Sequence, residues 1–175
     1  MLKHIKFFGL LTIVIMSVGC TGNFQSTHSY DAYTVPIKKS VGNTVGSSTL
    51  HDLATQAANR YDIDYRLFHA LIKHESSWNP RAVSRVGARG LTQIMPKTGK
   101  SQCGLERDVL FDPQLNLNCG AFYFGKLLKR FKNVKLALAA YNSGESRVAR
   151  LGRIPRIRET QRYVKKVMAS WHGRK

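Results

Sequence analysis

Acidic residues are few in this chain. Ten Asp and Glu stand against 28 Lys and Arg, a formal charge of +18 over 175 residues. That balance excludes an acidic, solvating polypeptide. It points to a polyanionic partner or surface: nucleic acid, a carboxylate-rich cell wall or an anionic membrane face. Apolar runs are short. The most extended, Phe7 to Val18, has twelve residues, too few for a helix that spans a bilayer. Three cysteines do not make a disulfide-dense scaffold. Cys103 and Cys119 are sixteen apart, and His69 and His74 are five apart; neither spacing suits a zinc site, so no metal is expected. Strand-like alternation is absent at useful length outside weak β-branched segments near the N-terminus, which leaves a mainly α domain of about seven helices. The length allows one domain and a short leader.

The leader has a basic start at Lys3 and Lys6, the apolar run, and then Gly19 and Cys20. It reads as a secretory signal over residues 1–20. Ser17-Val18-Gly19-Cys20 is similar to a bacterial lipobox, although Leu is usual at the position of Ser17. Lipidation of Cys20 would leave Cys103 and Cys119 as an even pair, and an exported chain rarely keeps an odd thiol. In an oxidising compartment that pair is expected to form a disulfide, worth roughly 3 kcal/mol by chain entropy. The alternative is two unpaired buried cysteines. Residues 21–48 are polar and rich in Ser, Thr and Gly, and read as a flexible tether. The domain then occupies residues 49–175.

Helix signals follow in order. Thr49 to Asp52 has capping-box spacing, and Asp64 suits an N-cap. Pro96 opens a short helix through Cys103, and Asp112-Pro113 opens a long one to about Phe131. Val134 to Tyr141 is apolar nearly all round, as in a helix buried on most sides. Gly144 suits a turn, with Ser143 as cap for a short helix to Leu151. Val164, Val167, Met168 and Trp171 mark the apolar face of a last helix.

One residue breaks the pattern. On a helix over Tyr65 to Ser76, Leu67, Phe68, Leu71 and Ile72 share one arc, and Glu75 falls inside it. A carboxylate on a core-facing stripe contradicts binary patterning. Burial without a partner raises its pKa, the condition for an acid still protonated near neutral pH. Ser76 to Pro80 stops the helix, and a loop with Gly87 and Gly90 follows. Two glycines three apart let a backbone approach a ligand closely.

Glu75-Ser76, then Gly90-Leu91-Thr92-Gln93, then Ala140-Tyr141-Asn142 resemble the three motifs of soluble lytic transglycosylase domains. The similarity extends to Asn79-Pro80, Ile94-Met95-Pro96, Glu159-Thr160 and Tyr163-Val164, and covers roughly residues 49–171. It departs at Thr92, where the family usually has Met; a changed contact beside the sugar is the expected result. The resemblance implies a goose-type lysozyme-like fold and peptidoglycan as substrate. Glu75 would be the single catalytic acid, oriented by Ser76. Gln93, Met95, Tyr141, Asn142, Glu159 and Tyr163 would bind or place the glycan. Glu159 also lies in the first turn of its helix, where the dipole favours a negative charge without any role in catalysis.

Glycosidases commonly use two carboxylates; Glu106, Asp108 and Asp112 lie in a loop and cap region, Glu145 is read as lying in a surface turn, and no motif here demands a second. The resemblance supplies a one-acid route ending in a 1,6-anhydro ring, with no cofactor. A monomer in the periplasm, attached through Cys20 to the outer membrane, is the expected state. The setting stays open between wall turnover and a secretion, conjugation or pilus machinery, or a phage. Three other readings remain: a hydrolysing muramidase, a basic nucleic-acid-binding module, and a wall-binding protein with a dead site. The nucleic-acid module explains the charge but not the leader or Glu75, so no nucleic-acid partner is expected. Mass spectrometry of the mature N-terminus should show a lipidated Cys20; an unmodified cysteine there removes the anchor.

Overall fold

In the computed structural model, residues 49–173 are described; the leader, Cys20 and the tether lie outside them. Capping chemistry sets the helix starts. Thr49 and Asp52 exchange side-chain and backbone bonds in a full capping box before α1 (Leu50–Arg60). Asp64 accepts from the Arg66 N–H to open α2 (Tyr65–Ser76). Pro96 starts α3 (Pro96–Cys103). Asp112 caps α4 (Pro113–Phe131) through the Leu115 N–H, after a 3-10 turn at Asp108–Phe111. Asn133 caps α5 (Val134–Ser143), and Gly144 leads into α6 (Glu145–Leu151). The last helix is α7 (Arg158–Trp171). Among the described residues there are seven α-helices and no strands, as the patterning predicts.

Two details correct the sequence reading. Ser143 does not cap α6: it is the last residue of α5, and its hydroxyl donates back to the Ala139 carbonyl. Glu145 is not free in a surface turn. It begins α6 and pairs with Arg130 of α4.

The core gathers around α5. Ala137 to Ala140 are fully buried, with α4, α6 and α7 packed on the helix. The small side chains allow close approach from several sides, which is why the segment is apolar nearly all round. α2 lies against α1 and α7 and buries Leu67, Phe68, Leu71 and Ile72 on the predicted arc. A smaller cluster of Ile94, Leu110 and Cys119 sits beside α3 and the 3-10 turn. There Cys103 and Cys119 form the expected disulfide, with Cα atoms 5.8 Å apart.

The segment from Ser77 to Met95 has no regular element beyond bridges pairing Val83 with Arg89 and Arg89 with Ile94. Its shape depends on Asn116 of α4, which is fully buried. The Asn116 side-chain oxygen accepts from the Thr92 N–H and hydroxyl, each at 2.8 Å. Its amide nitrogen donates to the carbonyls of Arg89 and Leu110 at 3.0 and 2.8 Å. Gly90, at φ 74°, has no room for a Cβ because the Asn116 amide and the Leu110 carbonyl occupy that space. The close approach that this glycine permits is therefore to the protein's own anchor and not to a ligand. Gly87, at φ 87°, makes an open turn.

Asn116→Ala would strand the Leu110 carbonyl and the Thr92 N–H in a dry setting, while the Arg89 carbonyl keeps the Ile94 N–H. At about 1–3 kcal/mol for each unsatisfied group, a loss of roughly 3–5 kcal/mol is expected. Thermal unfolding should show the Tm lowered by roughly 10 °C or more; an unchanged Tm would mean that the loop is held by something else.

Candidate active site

Glu75 is the penultimate residue of α2. Past Ser76 the chain turns sharply, with Ser77 and Trp78 both at left-handed φ, 51° and 67°. Glu75 keeps some accessible surface, yet protein crowds its carboxyl. Both hold for a group on the floor of a cleft: a water molecule can touch it, while most of its hydration shell is replaced. This loss of water, with a smaller contribution from the charge of Glu159, pushes its pKa up to about 7. Tyr163 acts in the opposite direction, favouring the ionised form.

The surroundings of Glu75 go beyond the apolar arc of its own helix. They include tyrosines and not only aliphatic side chains. Tyr141 from α5 and Tyr163 from α7 both feel the charge of Glu75, and burial, then that charge, push both phenols well above their usual value. Both stay neutral donors across ordinary pH. The Tyr141 hydroxyl donates to the Thr92 carbonyl at 2.8 Å, which ties α5 to the Gly90–Gln93 turn. The Tyr163 hydroxyl is buried and makes no hydrogen bond among the described residues. It is close enough to bias the titration of Glu75 but sits just outside bonding geometry.

The other predicted residues divide into those with accessible surface or a free polar atom and those that are buried. Ser76 is buried, and its hydroxyl donates to the Ile72 carbonyl at 3.4 Å; in this structure it does not orient the carboxylate. Gln93 has φ 49°, and its amide nitrogen donates to the carbonyls of Ala82 and Gly90 at 3.2 and 3.0 Å. Its nitrogen closes its own loop, which leaves the side-chain oxygen for a ligand. Met95 is 39% exposed at the start of α3. Asn142 accepts from the buried Thr160 hydroxyl at 2.8 Å, so its amide nitrogen is the end left to donate. Glu159 is exposed in the first turn of α7, where the dipole and its reach toward Glu75 both apply. Thr92 is wholly buried, with its side chain against Gly120 and bonded to Asn116. It does not touch a sugar, contrary to what its departure from the family pattern suggests.

The sequence reading missed Asn116 and Tyr123, and gave no role to Thr160 within the Glu159-Thr160 motif. Tyr123 packs on Tyr141 with ring centroids 5.6 Å apart, and burial raises its phenol pKa. Asn116 carries the same signal that exposed Glu75, a polar residue on a buried helix face. No group of three or more metal-ligating side chains lies together among the described residues.

The described helices thus place one desolvated carboxyl beside two neutral phenols. The chain belongs to the transglycosylase SLT domain family, whose model matches residues 52–164. Among its relatives is the soluble lytic murein transglycosylase of Salmonella typhimurium, 34% identical in a 140-residue alignment that covers 68% of this chain and 22% of that protein. The transglycosylase of Enterobacteria phage PRD1 is 42% identical over 88 residues, 50% of this chain and 32% of that one. The solved 70 kDa soluble lytic transglycosylase of Escherichia coli superposes with a TM-score of 0.63 at 33% identity, covering 69% of this chain and 23% of that one. A lytic transglycosylase from Pseudomonas aeruginosa, solved as an inactive glutamate-to-glutamine mutant, gives a TM-score of 0.62 at 28% identity, covering 68% of this chain and 22% of that one. The chain thus spans about a fifth to a third of the length of these relatives.

The shifted carboxyl couples proton binding to stability. Its folded pKa of about 7 exceeds its ordinary value of 4.5, so the native state holds this proton more tightly than the unfolded chain. Its contribution is most favourable below the ordinary value, falls as pH rises toward the folded value, and stays low above it. Glu75→Gln cannot ionise. It should unfold at higher temperature than the wild type at about pH 8, by up to about 3 kcal/mol in stability, with the gain gone near pH 4. Thermal scans across pH check this; a gain independent of pH contradicts the desolvation account.

Proposed function

We propose that this chain is a peptidoglycan lytic transglycosylase in which Glu75 serves as acid and then as base. The observation that carries this reading is the carboxyl of Glu75, crowded by protein beside Tyr141 and Tyr163 at the end of α2, where loss of water pushes its pKa up to about 7. One group that must give and then recover a proton works best when its two forms are close in energy at the working pH. Protonated Glu75 donates to the oxygen that joins N-acetylmuramic acid to N-acetylglucosamine, and the bond from that oxygen to the muramic C1 breaks. Positive charge on C1 is met by the substrate's own N-acetyl oxygen. Glu75, now ionised, takes the proton of the C6 hydroxyl as that oxygen bonds to C1. The anhydro ring closes, the acid is restored, and water is not consumed.

The neighbours suit this cycle. Tyr163 favours the ionised form of Glu75, and its unpartnered hydroxyl is available to donate as the carboxylate forms. Tyr141 holds the Thr92 turn, placing Gln93 and Met95 along the glycan groove, with Asn142 as a further donor. The inactive glutamine mutant of the Pseudomonas relative supports a glutamate acid.

For the whole chain we infer export by the 1–20 leader, a lipid on Cys20, a tether over 21–48, the catalytic domain from 49, and a periplasmic monomer attached to the outer membrane. The membrane-bound lytic murein transglycosylases among the relatives support an anchored form. A secretion, conjugation or pilus machinery that needs a local opening in the wall is a suitable partner. A hydrolysing muramidase is the second reading, favoured by the presence of Glu159 near Glu75.

Digestion of purified sacculi tests both. Wild type should release anhydromuropeptides, each lighter by one water than the reducing-end product of hydrolysis. Glu75→Gln should lower release by at least about 100-fold, the scale of general acid–base catalysis. Reducing ends from the wild type would establish hydrolysis instead, and near-normal turnover by the glutamine variant would remove Glu75 from the chemistry.

A further inference from the structure

The helix that carries Glu75 has a second polar side. Lys73 stands two residues away, about 200° around the helix, and His69 also lies off the apolar stripe. In the structure both line a concavity of about 620 Å³ between α1, α2 and α7, and Glu75 does not border it. Among the described residues that line it, the Lys and Arg are Lys73, Arg66 and Lys166, and none is Asp or Glu. Arg66 is engaged with Asp64 at 3.1 Å, and Asp64 also accepts from the Trp171 indole at 3.0 Å. Lys73 and Lys166 have no ion-pair partner among the described residues. Between them is His74, held below its usual pKa by burial and then by both ammonium charges. Positive groups from two helices thus converge on one imidazole without a counter-charge. Such convergence is repulsive unless an anion joins it.

The rest of the lining narrows the choice of anion. Trp78 stacks on His51 at 3.9 Å and meets His69 edge-on at 5.1 Å. Tyr65, 48% exposed, is the more open ring and meets His69 edge-on at 5.7 Å; one such ring is not the row of platforms on which successive bases stack. Among the described residues that line it there is no Leu, Ile, Val, Phe or Met to enter a lipid layer. Its volume suits a ligand of a few residues. Carboxylates on a short peptide meet these conditions.

We propose that this groove binds the carboxylate-bearing stem peptide of a glycan strand other than the one in the cleft, with Lys73 and Lys166 as the anion contacts. The assignment rests on peptidoglycan being the substrate. The wall presents such peptides densely, and the groove and the cleft share no lining residue that would make them compete. The enzyme is thereby held on the wall between cuts, although the sequence contains no wall-binding repeat.

The test uses the full chain carrying Glu75→Gln, titrated by NMR with stem peptides released from sacculi by an amidase. Signals of Lys73, Lys166 and the Trp78 indole should shift. In a variant that also carries K73E and K166E, affinity should fall by about tenfold or more, with an unchanged Tm. In the otherwise wild-type protein, K73E with K166E should leave cleavage of short soluble glycan fragments intact and weaken retention on intact sacculi. Shifts confined to Tyr141, Asn142 and Tyr163, or equal affinity in the doubly reversed variant, would overturn the groove. Equal binding of a poly-glutamate peptide would overturn the stem-peptide assignment in favour of an acidic protein partner. If the wild type failed to cleave glycan while the NMR shifts appeared as described, the transglycosylase reading would fall and the groove would stand.

Discussion

The removal of water from one carboxyl is the constraint on which this domain's chemistry depends. Glu75 sits where α2 ends, on the stripe that α2 presents to the core, so ionisation there lacks most of the hydration available on a free surface. Three helices share the work. α2 supplies the acid, α5 supplies Tyr141, and α7 supplies Tyr163 and Glu159, whose opposing influences balance the acid near neutrality. Tight packing around the alanines of α5 keeps those contributions in register.

The irregular segment between α2 and α3 needs another kind of support. It has too few backbone pairs to define its own shape, and Asn116 substitutes for the missing ladder by bonding to Arg89, Thr92 and Leu110 at once. Tyr141 completes the connection from the cleft side. A loop fixed at its tip by a buried amide and at its side by a phenol can present Gln93 in a left-handed conformation that an unsupported loop would leave.

Much of this was legible in the sequence because it follows from local rules. Thr49, Asp64, Asp112 and the apolar spacing of α2 and α4 define helices through their own caps and periods, and Glu75 declared itself by violating one such period. Roles set by distant partners were not legible. Nothing adjacent to Ser76 shows that its hydroxyl turns back to Ile72. Nothing beside Ser143 shows that it belongs to the helix it was expected to follow. Asn116 was visible in principle as a polar residue on a buried face, but its partners lie up to 27 positions away. The spacing of Gly87 and Gly90 suggested a ligand, whereas the space that Gly90 leaves is filled by the protein itself.

The buried meeting of Thr92 with Gly120 has a consequence for exchanging parts within this family. The hydroxyl side chain fills the space where α4 lacks a Cβ, and the bonds to Asn116 depend on that fit. Installing the more usual methionine would bring an unbranched thioether against a helix backbone and remove a hydroxyl that Asn116 engages. The motif is therefore not a cassette to be transplanted alone: positions 92, 116 and 120 form one inheritable unit, and a chain that alters the first must remodel the other two.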